Sequence, residues 1–185
     1  TGEIDMFDQE SLDLSAALGD ALQPAGWMLA TAESCTGGLV AGLVTALAGS
    51  SAWFDRGFVT YTNAAKVAEL GVSEDTLAAH GAVSEPTAGE MAAGALKAAG
   101  ALKAARAHMA VSTTGIAGPG GATPGKPVGM VCFGWAWTTP EGVRVRTATH
   151  LLAGDRTAVR MQAVRIALRG VLEMQALAAG PLQNE

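Results

Sequence analysis

The serines Ser50 and Ser51 carry the first candidate chemistry of this chain. They follow Gly49 at the end of a predicted helix, where the simplest interpretation is a plain turn. A serine hydroxyl attacks a carbonyl carbon only when a nearby base takes its proton. Tyr61 and Lys66 come next along the chain, and a lysine that burial keeps neutral can act as such a base. The SxxK spacing of β-lactamases is absent, so spacing alone does not identify a Ser–Lys pair.

The segment Glu33–Gly38 (ESCTGG) could hold a polar ligand. It stands between a short apolar run and an apolar helix, and the backbone N–H groups at a helix N-terminus are free to bind an anion. Ser34, Thr36 and two glycines suit such a ligand. The alternative is that Ser34 or Thr36 only caps the helix, and the spacing leaves these two interpretations equal.

Two arginines of the last predicted helix also require partners. At about 100° per residue, Arg156 and Arg160 project from its apolar face, where an unpaired charge is costly. Asp155 is the predicted N-cap, so Arg156 either holds an anion or pairs with Asp155. Arg165 and Arg169 lie roughly opposite the apolar face, which predicts solvated surface.

The loop Gly115–Pro127 is rich in glycine and proline, and its length is typical of a functional loop. Gly120, Gly125 and Lys126 match the first part of the phosphate-loop motif GxxxxGK[ST]. Pro127 occupies the position of the Ser or Thr that binds magnesium, and a strand follows where the motif needs a helix. We therefore do not expect nucleotide triphosphatase activity.

The elements that must position these residues predict an α/β fold. The apolar periodicity and the turn residues predict helices over 11–23, 39–49, 63–70, from 73, from 84 and over 154–177, and strands over 27–31, 56–62, 108–114, 128–138 and 143–150. This order favours a layered α/β/α sandwich around a mixed sheet, with residues 1–185 in a single domain. Asn63 is the predicted N-cap of its helix and Gly71 its stop. The hexamer GALKAA occurs at 94–99 and again at 100–105, which indicates a local duplication.

Composition and charge exclude several classes of function. The net charge is −5, and the first base is Arg56. A nucleic acid requires a basic patch, so we do not expect one as a partner. Two cysteines without CxxC spacing and three dispersed histidines predict neither a disulfide framework nor a metal site. No apolar run reaches membrane-spanning length and the acidic N-terminus is unlike a signal peptide, so we expect a cytoplasmic protein.

Six segments together resemble the CinA C-terminal domain family. They are TAESCTGG (31–38), AGSSAWFDRGFVTYTNAAK (48–66), LGVSEDTLAAHGAVSEPTAGEMAAGALKAA (70–99), TTGIAGPGG (113–121), KPVG (126–129) and GDRTAVR (154–160). The resemblance covers residues 11–175 and keeps the family's order of motifs. The GALKAA duplication departs from the family, and Thr62 stands where the family usually has Ser.

The resemblance implies an activity, because the family includes stand-alone nicotinamide mononucleotide deamidases. The expected reaction is hydrolysis of the nicotinamide carboxamide to nicotinate mononucleotide and ammonia, with no metal or cofactor. By the same resemblance Ser51 is the nucleophile, Lys66 the base and Tyr61 an assisting residue. The implied substrate contacts are Ser34, Thr36, Thr114, Gly115 and Arg156. We expect a small pyridine nucleotide as the partner, no membrane association, and a homo-oligomer.

The competing interpretation is a catalytically silent binding or accessory domain linked to competence or DNA damage. Some family members act as accessory domains of this kind. Ser51, Tyr61 and Lys66 are all present, which favours an enzyme. Ammonia release from nicotinamide mononucleotide distinguishes the two interpretations.

Overall fold

The structure is a computed structural model that describes residues 6–101 and 107–179. Its helices are α1 (Gln9–Leu22), α2 (Leu39–Thr45), α3 (Asn63–Leu70), α4 (Glu74–His80), α5 (Glu85–Ala101) and α6 (Arg156–Ala178). Its strands are β1 (Met28–Glu33), β2 (Phe54–Val59), β3 (Ala107–Gly115), β4 (Met130–Thr139) and β5 (Gly142–Leu151). A 3-10 turn, Ser50–Ala52, precedes β2. The expectation of an α/β fold is confirmed.

The strands form one mixed sheet in the order β2-β1-β3-β4-β5. β1 pairs in parallel with both β2 and β3, whereas β4 is antiparallel to β3 and β5 is antiparallel to β4. β4 and β5 form the predicted hairpin. The carboxyl ends of β1, β2 and β3 therefore meet at one edge of the sheet, which is where α/β proteins bind ligands.

Helices cover both faces of the sheet, as the layered prediction requires. One core joins α1, α2 and α6 to the bulky side chains of the sheet, among them Leu29, Met109 and Phe133. The other core joins α3 and α5 to small residues such as Ala30 and Ala110. Successive residues of a strand point to opposite faces, so this alternation sorts large side chains to one layer and alanines to the other.

The small residues on the second face allow α5 to lie close to the sheet. A Cβ added to Gly134 in β4 would lie 2.3 Å from the carbonyl oxygen of Ala88 in α5. A Cβ added to Gly94 would lie 1.9 Å from the carbonyl oxygen of Leu70 at the end of α3. In the first GALKAA copy, Leu96 is buried against the sheet layer. Residues 102–106 of the second copy lie outside the described residues.

Two local predictions are corrected by the structure. Thr62, rather than Asn63, caps α3, because its hydroxyl accepts a hydrogen bond from the Ala65 N–H at 3.1 Å. Threonine caps a helix much as serine does, so the departure at Thr62 preserves the cap. Arg165 and Arg169 are ion-paired rather than simply solvated: both contact Glu10, and Arg165 also contacts Asp8, which ties α1 to α6.

Candidate functional site

A pocket of about 210 Å³ lies at the carboxyl edge of the parallel strands. Each of these strands contributes residues at or just after its end, and α3 and α6 contribute one cation each. Of the described residues that line the pocket, none is acidic. The lining comprises Ser34, Cys35, Tyr61, Asn63, Lys66, Ala82, Val83, Thr114, Gly115, Ala117 and Arg156.

Lys66 is directed into this pocket from the first turns of α3. Its side chain is 1% exposed, and its Nζ lies 3.0 Å from the hydroxyl oxygen of Ser34. The same Nζ donates a hydrogen bond to the carbonyl of Thr60 at 2.8 Å. These two contacts fix the amine at hydrogen-bond distance from a serine hydroxyl, which is the separation that proton transfer requires.

The surroundings of Lys66 favour its neutral form. Burial lowers the pKa of Lys66 below its ordinary value of 10.5, and the nearby Cys35 acts in the opposite direction. Within residues 6–101 and 107–179, no carboxylate lies within ion-pair distance of the amine. A buried lysine without a counter-ion is a suitable general base.

Cys35 also borders the pocket, beside Ser34, yet it is a poor nucleophile. Burial raises the pKa of the Cys35 thiol from 9.0 to about 11. The thiolate is the nucleophilic form of cysteine, so at neutral pH this thiol is protonated and inert. Ser34 is therefore the stronger candidate of the two neighbours.

Glu33 controls the turn that carries Ser34. Its carboxylate is fully buried and accepts hydrogen bonds from the N–H groups of Gly38, Val40 and Ala41 at 3.2, 2.8 and 3.0 Å. These N–H groups are the free donors at the start of α2, and a carboxylate suits that position. The donors that an anion at the N-terminus of α2 would use, one of the two interpretations that the spacing left open, are therefore occupied by the protein's own side chain.

Thr36 belongs to the same internal network. Its hydroxyl lies 2.7 Å from Glu33 Oε1 and 2.7 Å from the hydroxyl of Thr113, and the residue is fully buried. The structure does not bring the Thr36 side chain to the pocket. Neither Ser34 nor Thr36 is the N-cap of α2, since Gly38 holds that position without a side-chain cap.

Arg156 spans the mouth of the pocket. Its guanidinium donates to the carbonyl of Gly118 at 2.9 Å and to the hydroxyl of Tyr61 at 3.0 Å. Tyr61 is 58% exposed and stands at the rim. Asp155 is the N-cap of α6, as predicted, because its side chain accepts a hydrogen bond from the Ala158 N–H. Of the two alternatives for Arg156, pairing with Asp155 is not observed: the guanidinium bonds to Gly118 and Tyr61 instead.

Thr114 and Gly115, at the end of β3, also line the pocket. The Thr114 hydroxyl donates to the carbonyl of Ala82 at 2.7 Å. A Cβ on Gly115 would lie 2.7 Å from the carbonyl oxygen of Met130. Close packing against β4 therefore accounts for the glycine.

The structure does not bring Ser51, the nucleophile that the resemblance implies, to this pocket. Ser51 is exposed in the 3-10 turn before β2, where the carbonyl of Trp53 accepts from the N–H of Leu29 at the start of β1. Lys66 follows the other end of β2, and six residues at about 3.3 Å each separate the two ends by roughly 20 Å. No proton passes directly over that distance.

The sequence did contain a signal for the serine that contacts Lys66. Ser34, Tyr61 and Thr114 all follow or end strands, whereas Ser51 precedes one. In a parallel sheet, residues that follow strands gather at one edge. Applying that rule to the two serine segments would have selected Ser34 as the partner of Lys66.

The fold and the pocket define a class: a three-layer α/β protein in which a buried lysine contacts a serine at the carboxyl edge of the sheet. The chain belongs to the CinA C-terminal domain family, whose model matches residues 11–175. None of the helices formed by residues 6–101 and 107–179 is long and apolar enough to cross a membrane. Within the same ranges, no cluster of three or more His, Cys, Asp or Glu residues is arranged to hold a metal.

Curated relatives and solved structures agree with this assignment. A protein of Escherichia coli (strain K12) named nicotinamide-nucleotide amidohydrolase PncC is 54% identical over 164 residues, covering 89% of this chain and 94% of the relative. A CinA-like protein of Chloroherpeton thalassium is 48% identical over 169 residues, covering 91% of this chain and 39% of that protein. The crystal structure of the competence/damage inducible protein CihA from Agrobacterium tumefaciens matches with a TM-score of 0.81 and 44% identity, over 92% of this chain and 99% of that one.

Proposed function

We propose that this chain hydrolyses the carboxamide of nicotinamide mononucleotide to nicotinate mononucleotide and ammonia, with Ser34 as nucleophile and Lys66 as base. The observation that carries the proposal is the contact of 3.0 Å between the buried Lys66 amine and the Ser34 hydroxyl. The name of the 54% identical relative, a nicotinamide-nucleotide amidohydrolase, supports the choice of reaction and substrate.

The proposed reaction has two stages with balanced proton transfers. Neutral Lys66 takes the Ser34 proton as the serine oxygen attacks the carboxamide carbon. The resulting tetrahedral intermediate collapses, the C–N bond breaks, and the Lys66 ammonium returns the proton to the departing ammonia. Water then attacks the acyl ester, again with Lys66 as base, and releases nicotinate mononucleotide and free Ser34.

The charges at the pocket suit an anionic nucleotide. Lys66 and Arg156 are the cations of the lining, and none of the described lining residues is acidic. Because Glu33 occupies the donors at the start of α2, Arg156 is the proposed contact for the substrate phosphate. Tyr61 is proposed to hold the guanidinium of Arg156 at the rim rather than to act as a base.

The test is ammonia release from nicotinamide mononucleotide by the purified chain, with nicotinate mononucleotide measured in parallel. We expect one ammonia for each nicotinate mononucleotide. Lys66→Met, which keeps an unbranched side chain without the amine, is expected to lower kcat by at least about 10³-fold, since both stages lose their base. A wild-type chain that binds the nucleotide without releasing ammonia would instead be the silent binding domain.

A further inference from the structure

A second cavity, of about 280 Å³, lies between β5 and α6. α6 packs on β3 and β4, and β5 is the next strand outward at the edge of the sheet. The cavity opens along this edge strand. Its described lining residues are all different from those of the pocket that holds Ser34 and Lys66, so the two cavities are separate sites.

The floor of this second cavity is apolar and held in place. The Trp135 side chain is 5% exposed, and its indole N–H donates to the carbonyl of Ala167 in α6 at 2.9 Å. Met174 and Ile166 of α6 add aliphatic surface. A Cβ on Gly170 would lie 2.2 Å from the Trp135 ring, so the glycine lets α6 and the ring approach closely. The floor is therefore a preformed surface on which an apolar or aromatic group can pack.

Arg146 stands on the wall that β5 contributes. It lies directly opposite Trp135 in the antiparallel register of β4 and β5, so the two side chains share one face of the sheet. The next residue, Thr147, points to the other face, where its hydroxyl donates to Glu85 of α5 at 2.7 Å. The Arg146 side chain is thus on the α6 side of the sheet, beside the apolar floor.

The charges of the lining leave Arg146 available for an anion. Within residues 6–101 and 107–179, no carboxylate lies within ion-pair distance of its guanidinium. The other guanidinium of the lining, that of Arg169, is paired with Glu10. Of the described lining residues, Glu173 alone is acidic. A guanidinium without an internal partner can bind a carboxylate through two parallel hydrogen bonds.

We propose that this cavity is a second binding site, which takes a small aromatic carboxylate with its ring on the Trp135 floor and its carboxylate on Arg146. The apolar floor accounts for the aromatic body of the ligand, and the unpaired guanidinium accounts for its charge. This inference goes beyond the proposed reaction and does not depend on it, because no residue of the second cavity belongs to the Ser34–Lys66 pocket.

The experiment titrates the purified chain with 2-naphthoate and with 2-naphthamide, which share a ring system and differ in charge. Calorimetry gives the two Kd values, and NMR follows the Trp135 indole N–H and the Gly170 amide. We expect 2-naphthoate to bind with a Kd below about 1 mM, to shift both signals, and to bind at least about fivefold more tightly than 2-naphthamide. A weaker Kd, unshifted signals or a smaller preference for the anion would overturn the inference.

Substitutions test the part that Arg146 plays. Arg146→Gln should weaken 2-naphthoate at least about threefold and leave 2-naphthamide within about twofold. Arg144→Gln is the matched control, because Arg144 is exposed on the same strand and is not among the described lining residues. It should change both Kd values by less than about twofold. If Arg146→Gln weakens 2-naphthoate less than threefold, or Arg144→Gln weakens it as much, the inference is wrong.

Two further measurements identify other occupants. Because Glu173 repels an anion in the cavity, Glu173→Gln should tighten the binding of 2-naphthoate, and an unchanged or weaker affinity contradicts the inference. If Arg156→Ala weakens 2-naphthoate as strongly as Arg146→Gln does, the ligand is bound in the Ser34–Lys66 pocket instead. If sedimentation velocity shows that Arg146→Gln dissociates an oligomer and wild type does not bind 2-naphthoate, this face joins copies of the chain and the inference is wrong.

Discussion

Replacement of Glu33 with glutamine is expected to destabilise the fold far more than its small change in shape suggests. Glu33 is 0% exposed. Its Oε1 accepts from the Thr36 hydroxyl and from the N–H groups of Gly38 and Val40, and its Oε2 accepts from the Thr31 hydroxyl and the N–H of Ala41. Every one of these five contacts uses the carboxylate as an acceptor.

Glutamine can replace only one of the two oxygens. With its amide oxygen at the Oε1 position, its NH2 group faces the Ala41 N–H, so a buried donor is left without an acceptor at a cost of about 1–3 kcal/mol. The three bonds that remain on Oε1 lose the charge of the acceptor, which costs each of them on the order of 1 kcal/mol. The free energy of unfolding should therefore fall by about 4–6 kcal/mol, a large share of the roughly 5–15 kcal/mol of a typical domain.

Urea denaturation of wild type, Glu33→Gln and Glu10→Gln at one pH measures this difference. Glu10 is a matched control, because it pairs with Arg165 and Arg169 at an exposed site where its side chain is 61% exposed. Its replacement should cost less than about 1 kcal/mol. If Glu33→Gln is no more destabilising than Glu10→Gln, the carboxylate does not organise the start of α2 and the account of the Ser34 turn is wrong.

Three further predictions concern the pocket. Arg156→Ala should raise KM for nicotinamide mononucleotide about tenfold to 150-fold with little change in kcat; equal weakening for nicotinamide riboside, which lacks the phosphate, would contradict phosphate recognition. Burial lowers the pKa of Lys66 in the folded protein below its ordinary value of 10.5, so between the folded-state pKa and the unfolded-state pKa the folded protein binds fewer protons than the unfolded chain. The unfolding free energy of wild type relative to Lys66→Met should therefore rise with pH in that window, which urea denaturation at a series of pH values can measure. Since burial raises the pKa of the Cys35 thiol to about 11, iodoacetamide should modify Cys35 at pH 8 at least about 10²-fold more slowly than a free thiol, and comparable rates would contradict its burial.

The fold was largely predictable because its signals are local. Short apolar runs bounded by glycine predicted the strands, and caps such as Ser73 and Asp155 were found where the structure has them. Gly71, with φ of 65°, ends α3 as predicted, because glycine adopts that conformation without strain. Boundaries were less accurate: α2 ends at Thr45, several residues before the predicted stop at Gly49.

The site was only partly predictable because its main contacts join distant segments. Lys66, Arg156 and Ser34 were all singled out, but the pairing of Lys66 with Ser34 spans 32 residues and depends on the parallel register of β1 and β2. The role of Glu33 was missed, since a carboxylate that reaches forward to a helix start five to eight residues away matches no local capping pattern. Long-range geometry, rather than residue type, separates Ser34 from Ser51.

The most direct test of the central claim compares Ser34→Ala with Ser51→Ala in the ammonia-release assay. The two variants remove the same hydroxyl, one in the pocket 3.0 Å from the Lys66 amine and one in the exposed turn before β2. We predict that Ser34→Ala lowers kcat by several orders of magnitude, on the order of 10³-fold or more, whereas Ser51→Ala stays within about twofold of wild type. Loss of turnover in Ser51→Ala, with Ser34→Ala keeping more than about a tenth of the wild-type kcat, would contradict the assignment of Ser34 as the nucleophile.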